Sequence, residues 1–273
     1  MTSATHHAPF QVDVLRHARA TARLGATIHY FDRLDSTNTV AGRLAADGAA
    51  EGTCVVAETQ TQGRGRLGRT WISPPFRNLY LSVILRPPIA TAAAPQVTLA
   101  AGVAVAETVR EWTPRAAIKW PNDVVIDGRK VAGILTEMEA DNDRIRFLIL
   151  GIGVNLNSTR EDFPANLRDK AGSLCTAAGH AIDRAAFAER LLSRLEERYD
   201  LFVRAGFAAI RPVWNGLSCL QGRQVRIGGG QQRQEGTVTG IAEDGALLLR
   251  SATGTEHRVI VGDVTLVDRC GRG

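Results

Sequence analysis

At 273 residues with 44% hydrophobic side chains, the chain is long enough for one large unit and a small one, each with its own core. Its 33 basic and 28 acidic residues leave a net charge of +5, too small an excess to mark a nucleic-acid binder by itself. The start, MTSATHHAPFQVDVLRHARA, lacks the charged, apolar, small order of a signal peptide, and no apolar run approaches the roughly 18 residues of a membrane span, so a cytoplasmic setting with no membrane partner is expected.

The Ala- and Arg-rich residues 1–27 hold one short helix around Val12, Leu15 and Arg19. At DSTNTVAGRLAADG, Ser36 or Thr37 is placed to cap a helix of about ten residues, with Val40, Leu44 and Ala45 on its apolar face and Gly48 as its stop. Apolar runs at 53–57, 78–85, 116–120, 124–126, 130–139 and 145–154 read as strands. Between them, 96–112 carries Val97, Leu99, Val103 and Val109 without proline and fits a buried helix. A second helix is expected over 183–206, where Phe187, Leu191, Leu195, Tyr199 and Phe202 recur near every fourth residue and Gly206 stops the run. After Trp214 five short β-like runs in about 50 residues, from RQVRIGGG to DVTLV, suggest a small SH3-like barrel. The expected architecture is α+β: an N-terminal extension over 1–27, a unit of mixed sheet and packed helices over 28–215, and the barrel over 216–273.

Cys54, Cys175, Cys219 and Cys270 lie far apart with no CxxC or His-rich spacing, which predicts reduced thiols and no zinc site. Only three lysines occur, Lys119, Lys130 and Lys170, and two of them fall within twelve residues. In a chain that otherwise uses arginine, a retained compact ammonium points to contact with a phosphate or carboxylate oxygen.

The segment GRGRLGRT (63–70) fits two phosphate-binding patterns on paper. GxGxxG needs a helix after it and an acidic residue about 20 positions on; Pro74 and Pro75 block the first and VILRPP stands in place of the second. The P-loop fails for want of the same helix, and has Arg69 where its lysine belongs. A solvated basic loop is the plain alternative. Alternating glycines and arginines instead suit a clamp, in which backbone wraps a ligand and Arg64, Arg66 and Arg69 present planar forks to phosphate oxygens, the loop ordering over the ligand it covers. Aromatic residues for base stacking are nearly absent from it. KWPNDVVIDGRKVAGILTE (119–137) reads as a hairpin with Lys119 ending one strand and Lys130 on the return.

Taken together, DSTN (35–38), AETQTQGRGRLGRTW (57–71), NLYLS (78–82), KWPND (119–123), KVAGIL (130–135) and GIGVNLN (151–157) resemble biotin protein ligases in identity, order and spacing. The resemblance is close over about 30–160 and extends to the small terminal domain; Leu67 departs from an arginine common at that place. It implies a class II synthetase-like fold and a two-step reaction: biotin and MgATP give biotinyl-AMP, and a lysine of a biotin carboxyl carrier domain then takes the acyl group. It implies that Ser36, Thr37, Asn38 and Gln60 hold the biotin head, with Gly63 and Gly133 close by. Arg64, Arg66 and Arg69 would hold phosphates, Lys119 would contact the carboxylate and the transferring phosphate, and Trp71 and Asn155 would meet adenine. Magnesium enters with ATP, and its ligands are not identified.

A lipoate or octanoyl ligase is the nearest rival, against which DSTN and the arginine loop argue. A biotin-responsive regulator would need a winged helix of roughly 60 residues, and 34 precede Asp35, so no specific DNA binding is expected. A non-catalytic adaptor leaves the loop and lysines unexplained. A homodimer is compatible with the sequence.

Overall fold

The computed structural model describes residues 8–20, 22–228 and 234–267; Cys270 and residues 1–7, which bear on the thiol and leader expectations, lie outside them. The chain runs through α1 (Val12–Ala18), β1 (Ile28–Leu34), α2 (Thr37–Ala46), β2 (Cys54–Gln60), β3 (Leu79–Leu85), α3 (Ala94–Arg110), β4 (Ala116–Lys119), β5 (Asp123–Ile126), β6 (Arg129–Asp141), β7 (Arg144–Val154), α4 (Leu174–Ala178) and α5 (Arg184–Leu217). It then forms β8 (Gln224–Gly228), β9 (Gln234–Ile241), β10 (Leu247–Arg250), β11 (Glu256–Val259) and β12 (Asp263–Leu266).

The first seven strands form one sheet in the order β1-β2-β3-β7-β6-β5-β4, with β1 and β2 parallel and every other neighbour antiparallel. A central strand such as LYLSVIL of β3 is buried at all seven positions because both of its faces are covered, which is why it reads as an apolar run rather than an alternation. Cys54, Val56, Val83, Leu85, Leu148 and Leu150 face the core that α3 and α5 complete. Their neighbours Val55, Ile84 and Ile149 face Ala41 and Ala45 of α2 on the other side. The mixed sheet and its helices match the α+β expectation.

Strand β1 escapes the sequence reading. Its IHYFDRL alternates imperfectly because it is the edge strand and exposes Asp32 and Arg33. Gly206 interrupts α5 in a left-handed conformation (φ 69°) as the sequence suggests, but helix resumes beyond it and buries Phe207, Ile210, Trp214 and Leu217. Pro212 sits inside that second run. By length and composition one helical stretch, Thr91–Arg110, would suffice to cross a membrane, contrary to the expectation of no such run. Its apolarity is explained by packing, since α3 lies between the sheet and α5 with 12 of its residues buried.

Nor does the described part of the N-terminal segment stand apart. Phe10, Leu15 and Leu24 enter the main core. Glu58 on β2 and Arg184 at the start of α5 form a buried pair joined by two hydrogen bonds of 2.8 and 3.0 Å, and Arg184 also donates to Ala8 O at 2.6 Å. Glu58 accepts further from the Phe10 and Phe76 amides and from Tyr30 Oη. Burial pushes the Glu58 carboxyl up, but the Arg184 hydrogen bonds and charge and the two amide donors outweigh it, and the net shift is downward.

Strands β8–β12 make an antiparallel five-stranded sheet in the order β11-β10-β9-β8-β12, consistent with the SH3-like domain expected. It is docked on the larger unit by a buried hydrogen bond from Trp120 Nε1 to Gly245 O (3.1 Å) and by the amide of Cys219, which donates to Ile118 O (3.0 Å). On the surface Arg69 pairs with Asp263.

Candidate active site

The face of the sheet that α2 covers is left open beyond that helix's N-terminal end. Two cross-strand rows form the floor there. In one, Ser82 of β3, Gly151 of β7 and Leu135 of β6 are in register; in the next, Tyr80, Gly153 and Gly133. Three glycines on adjacent positions keep the floor flat. A Cβ on Gly151 would lie 2.1 Å from Asn38 Oδ1, and one on Gly153 2.5 Å from the Trp71 ring.

Over this floor the DSTN segment builds a polar cradle. Ser36 is the N-cap of α2 by position, yet its side chain makes no cap hydrogen bond, so its hydroxyl is uncommitted to the helix and lines the cleft. The Thr37 amide and hydroxyl both donate to Gln60 Oε1, at 2.9 and 3.2 Å, and Gln60 Nε2 donates to Ser73 Oγ at 3.0 Å. Ser82 Oγ lies 2.8 Å from Thr37 Oγ1 and 2.6 Å from Asn38 Oδ1, so one hydroxyl proton serves two acceptors. Asn38 Nδ2 donates to Leu135 O at 3.3 Å and to Glu137 Oε2 at 2.7 Å. Buried polar side chains cross-linked in this way are held in place before any ligand contact is made.

The arginine segment forms a small hairpin across the cleft rather than an extended basic loop. Arg64 and Thr70 bridge, the Gly65 amide donates to Arg69 O (2.7 Å), and the Trp71 amide donates to Gly63 O (2.8 Å). Its three arginines reach three different elements: Arg64 pairs with Glu137 on β6 at 2.9 Å, Arg66 donates to Asn122 Oδ1 at 3.0 Å, and Arg69 reaches Asp263 on β12. Arg64 and Arg66 line the cleft; Arg69 does not. Burial bears down on the Arg66 guanidinium pKa, Asp123 opposes this, and the Arg69 charge adds to it. The group stays charged, so it is a cation with its hydration partly removed, facing a neutral amide.

The hairpin reading of 119–137 is corrected here. The KWPND stretch is followed by a second reversal, so that β5 is the return strand and Lys130 lies on the third, β6. Lys130 lines the cleft, with Nζ 2.6 Å from Asp123 Oδ1 and 5.3 Å from the Trp71 ring centroid. Lys119 is not among the lining residues. Its charge is felt instead at Cys219, where burial raises the thiol pKa and Lys119 opposes it, at the junction with the C-terminal sheet. Trp71 lies across Gly133 and Gly153, within the cleft. Asn155 is buried and donates to Gly172 O at 3.0 Å, outside the lining. Of the residues expected from the sequence, Ser36, Thr37, Asn38, Gln60, Arg64, Arg66, Trp71 and Gly133 line one cleft and Gly63, Arg69, Lys119 and Asn155 do not, while Ser82, Asn122, Lys130 and Glu137 were not among those expected. Among the described residues no group of three or more His, Cys, Asp or Glu side chains is placed to hold a metal ion.

Residues 30–155 match the model of the Biotin/lipoate A/B protein ligase family, and residues 221–267 that of the Biotin protein ligase C terminal domain. The bifunctional ligase/repressor BirA of Bacillus subtilis is 40% identical over 92% of this chain and 78% of its own length. The biotin–[acetyl-CoA-carboxylase] ligase of Paracoccus denitrificans is 34% identical over 82% of this chain and 94% of its own. Among solved structures, the biotin protein ligase from Aquifex aeolicus in complex with biotin and ATP superposes with a TM-score of 0.75 at 30% identity, covering 88% of this chain and 98% of that one. Sequence, fold and both matched domains place the chain in the biotin/lipoate A/B protein ligase family, among its biotin protein ligases.

Proposed function

We propose that this chain joins biotin to ATP as biotinyl-5′-AMP and passes the biotinyl group to a lysine of a biotin carboxyl carrier domain. The observation that carries this reading is one cleft with two chemically distinct ends. A neutral hydrogen-bonding cradle of Ser36, Thr37 and Gln60 suits the ureido head, and the cations Arg64, Arg66 and Lys130 stand toward the arginine hairpin. In the first step a biotin carboxylate oxygen attacks the α-phosphorus and the bond to pyrophosphate breaks. Both reactants are anionic, so fixed cations beside that phosphorus lower the barrier by offsetting their repulsion. Lys130 stands in the cleft for this role, with Asp123 and the Trp71 face orienting its ammonium, and Lys119, in register with Asp123 at the end of β4, is proposed beside it. In the second step the carrier lysine amine attacks the acyl carbon, the bond to AMP breaks, and a proton leaves the new amide nitrogen.

The flat floor at Gly133 and Gly153 lets Trp71 lie directly on backbone, with its opposite face presented to adenine. Asn155 supports this wall by holding the Gly172 turn. Magnesium accompanies ATP in this reading. Among the described residues the site offers Asp123, already paired with Lys130, and no carboxylate cage, which suits an ion held chiefly by phosphate oxygens and water. A cytoplasmic setting fits a reaction that consumes ATP.

The test is mass spectrometry of the protein incubated with biotin and MgATP, where retained biotinyl-AMP is expected, together with pyrophosphate release by two variants. Lys119→Ala and Lys130→Ala should each lower release, by roughly 100- to 1,000-fold for loss of one transition-state cation. A folded variant of either kind turning over normally would refute the assignment of that lysine.

A further inference from the structure

We propose that Glu137 is a positioning residue that joins the biotin cradle to the arginine hairpin, so that the two halves of the cleft are set by one carboxylate. The inference rests on the function proposed above. Glu137 Oε2 accepts from Asn38 Nδ2 at 2.7 Å and from Arg64 Nη2 at 2.9 Å. The two donors come from motifs 26 positions apart in the chain, and they meet on the same oxygen atom.

Asn38 is a fixed point. It is 5% exposed, its Oδ1 is 2.6 Å from Ser82 Oγ, and it packs so closely on Gly151 that no side chain fits between them. Its amide therefore serves the framework rather than a ligand. Arg64 is the opposite case, a half-exposed side chain on a hairpin, and an ion pair with the half-exposed Glu137 alone would contribute little. Anchoring Glu137 on Asn38 changes this. The carboxylate is held from the framework side, and it fixes one amino group of the guanidinium, leaving the other donors of the planar fork for an anionic ligand oxygen. Glu137 thus sets the direction of Arg64 without itself needing to touch substrate.

The role separates from a structural one by kinetics. Glu137→Ala should raise the KM for biotin and the dissociation rate of biotinyl-AMP by about 10- to 100-fold, with the rise in KM exceeding any fall in kcat. Glu137→Gln, which still offers one oxygen to both donors, should recover most of the loss. In an Arg64→Ala background the effect of Glu137→Ala on dissociation should shrink to a few-fold, because the group it positions is gone. Melting temperatures of all variants accompany the kinetics. Wild-type KM and dissociation in Glu137→Ala, no recovery by Glu137→Gln, or an undiminished effect in the Arg64→Ala background would each overturn the proposal while leaving the function intact. A wild-type protein that makes no adenylate would instead overturn the function, and this proposal with it.

Discussion

Replacing Gly151 by alanine tests whether the biotin cradle is as rigid as its contacts imply. The glycine does not sit in a left-handed conformation, so the substitution carries no backbone strain, and its effect is purely one of space. The new methyl would lie 2.1 Å from Asn38 Oδ1 and 3.0 Å from its Nδ2, where ordinary contacts begin near 3.4 Å. The amide must move by about an ångström, which breaks its 2.6 Å contact with Ser82 and its 2.7 Å hydrogen bond to Glu137. One neutral and one charge-assisted hydrogen bond together amount to roughly 2–4 kcal/mol, or about 30- to 800-fold in apparent biotin affinity if the loss is felt at the site. The assay is pyrophosphate release titrated against biotin, alongside a melting curve. A folded Gly151→Ala protein with an unchanged KM for biotin would show that the cradle tolerates displacement of Asn38, and the reasoning from preorganisation would fall.

Two further outcomes are expected. Arg66→Gly should speed loss of biotinyl-AMP by roughly 10- to 150-fold, the equivalent of one charge-assisted contact of about 1.5–3 kcal/mol, and should increase labelling of bystander lysines at equal adenylate production; unchanged dissociation would return Arg66 to the surface. Glu58→Gln should lower stability at pH 7 by about 3–5 kcal/mol, because it leaves Arg184 buried without its counter-charge. Since the folded Glu58 carboxyl titrates below its ordinary range, its stabilisation is complete above about pH 5 and is lost as pH falls through the folded value. Melting temperature followed from pH 7 to pH 3 should therefore drop less steeply in Glu58→Gln than in wild type, and parallel curves would refute the linkage.

Much of the site is legible in the sequence because its residues come in short contiguous motifs. Ser36, Thr37 and Asn38 travel together on one helical turn, and the arginines on one hairpin, so finding the motif finds the group. What is lost is whatever depends on register between distant strands. Ser82 sits inside LYLSVIL, where a lone serine in a buried strand has no local mark, and it matters only because β3 sets it beside Gly151 and beneath α2. Glu137 lies in the partly exposed stretch TEMEAD and gains its role from the same pairing. The placement of Lys130 turned on one additional strand. Reading 119–137 as a single hairpin puts Lys130 on the strand that pairs with that of Lys119, whereas the four-residue β5 lies between β4 and β6 and Lys130 comes to line the cleft. In the fold, β1 and the second half of α5 were hidden by charged edge residues and by Gly206, two cases where tertiary packing overrides the local signal.

The hydrogen bond from the Trp120 indole to the Gly245 carbonyl bears on how the chain can be divided. Trp120 belongs to the same turn as Asn122, which receives Arg66, and the C-terminal sheet also receives Arg69 through Asp263. Cutting between α5 and β8 would leave the indole N–H and a carbonyl without partners at a face built to be dry, and would detach one anchor of the arginine hairpin. The two pieces are therefore complementing fragments rather than interchangeable modules. Transplanting the terminal sheet from a relative preserves the cleft only if the backbone around Gly245 and the carboxylate at 263 come with it.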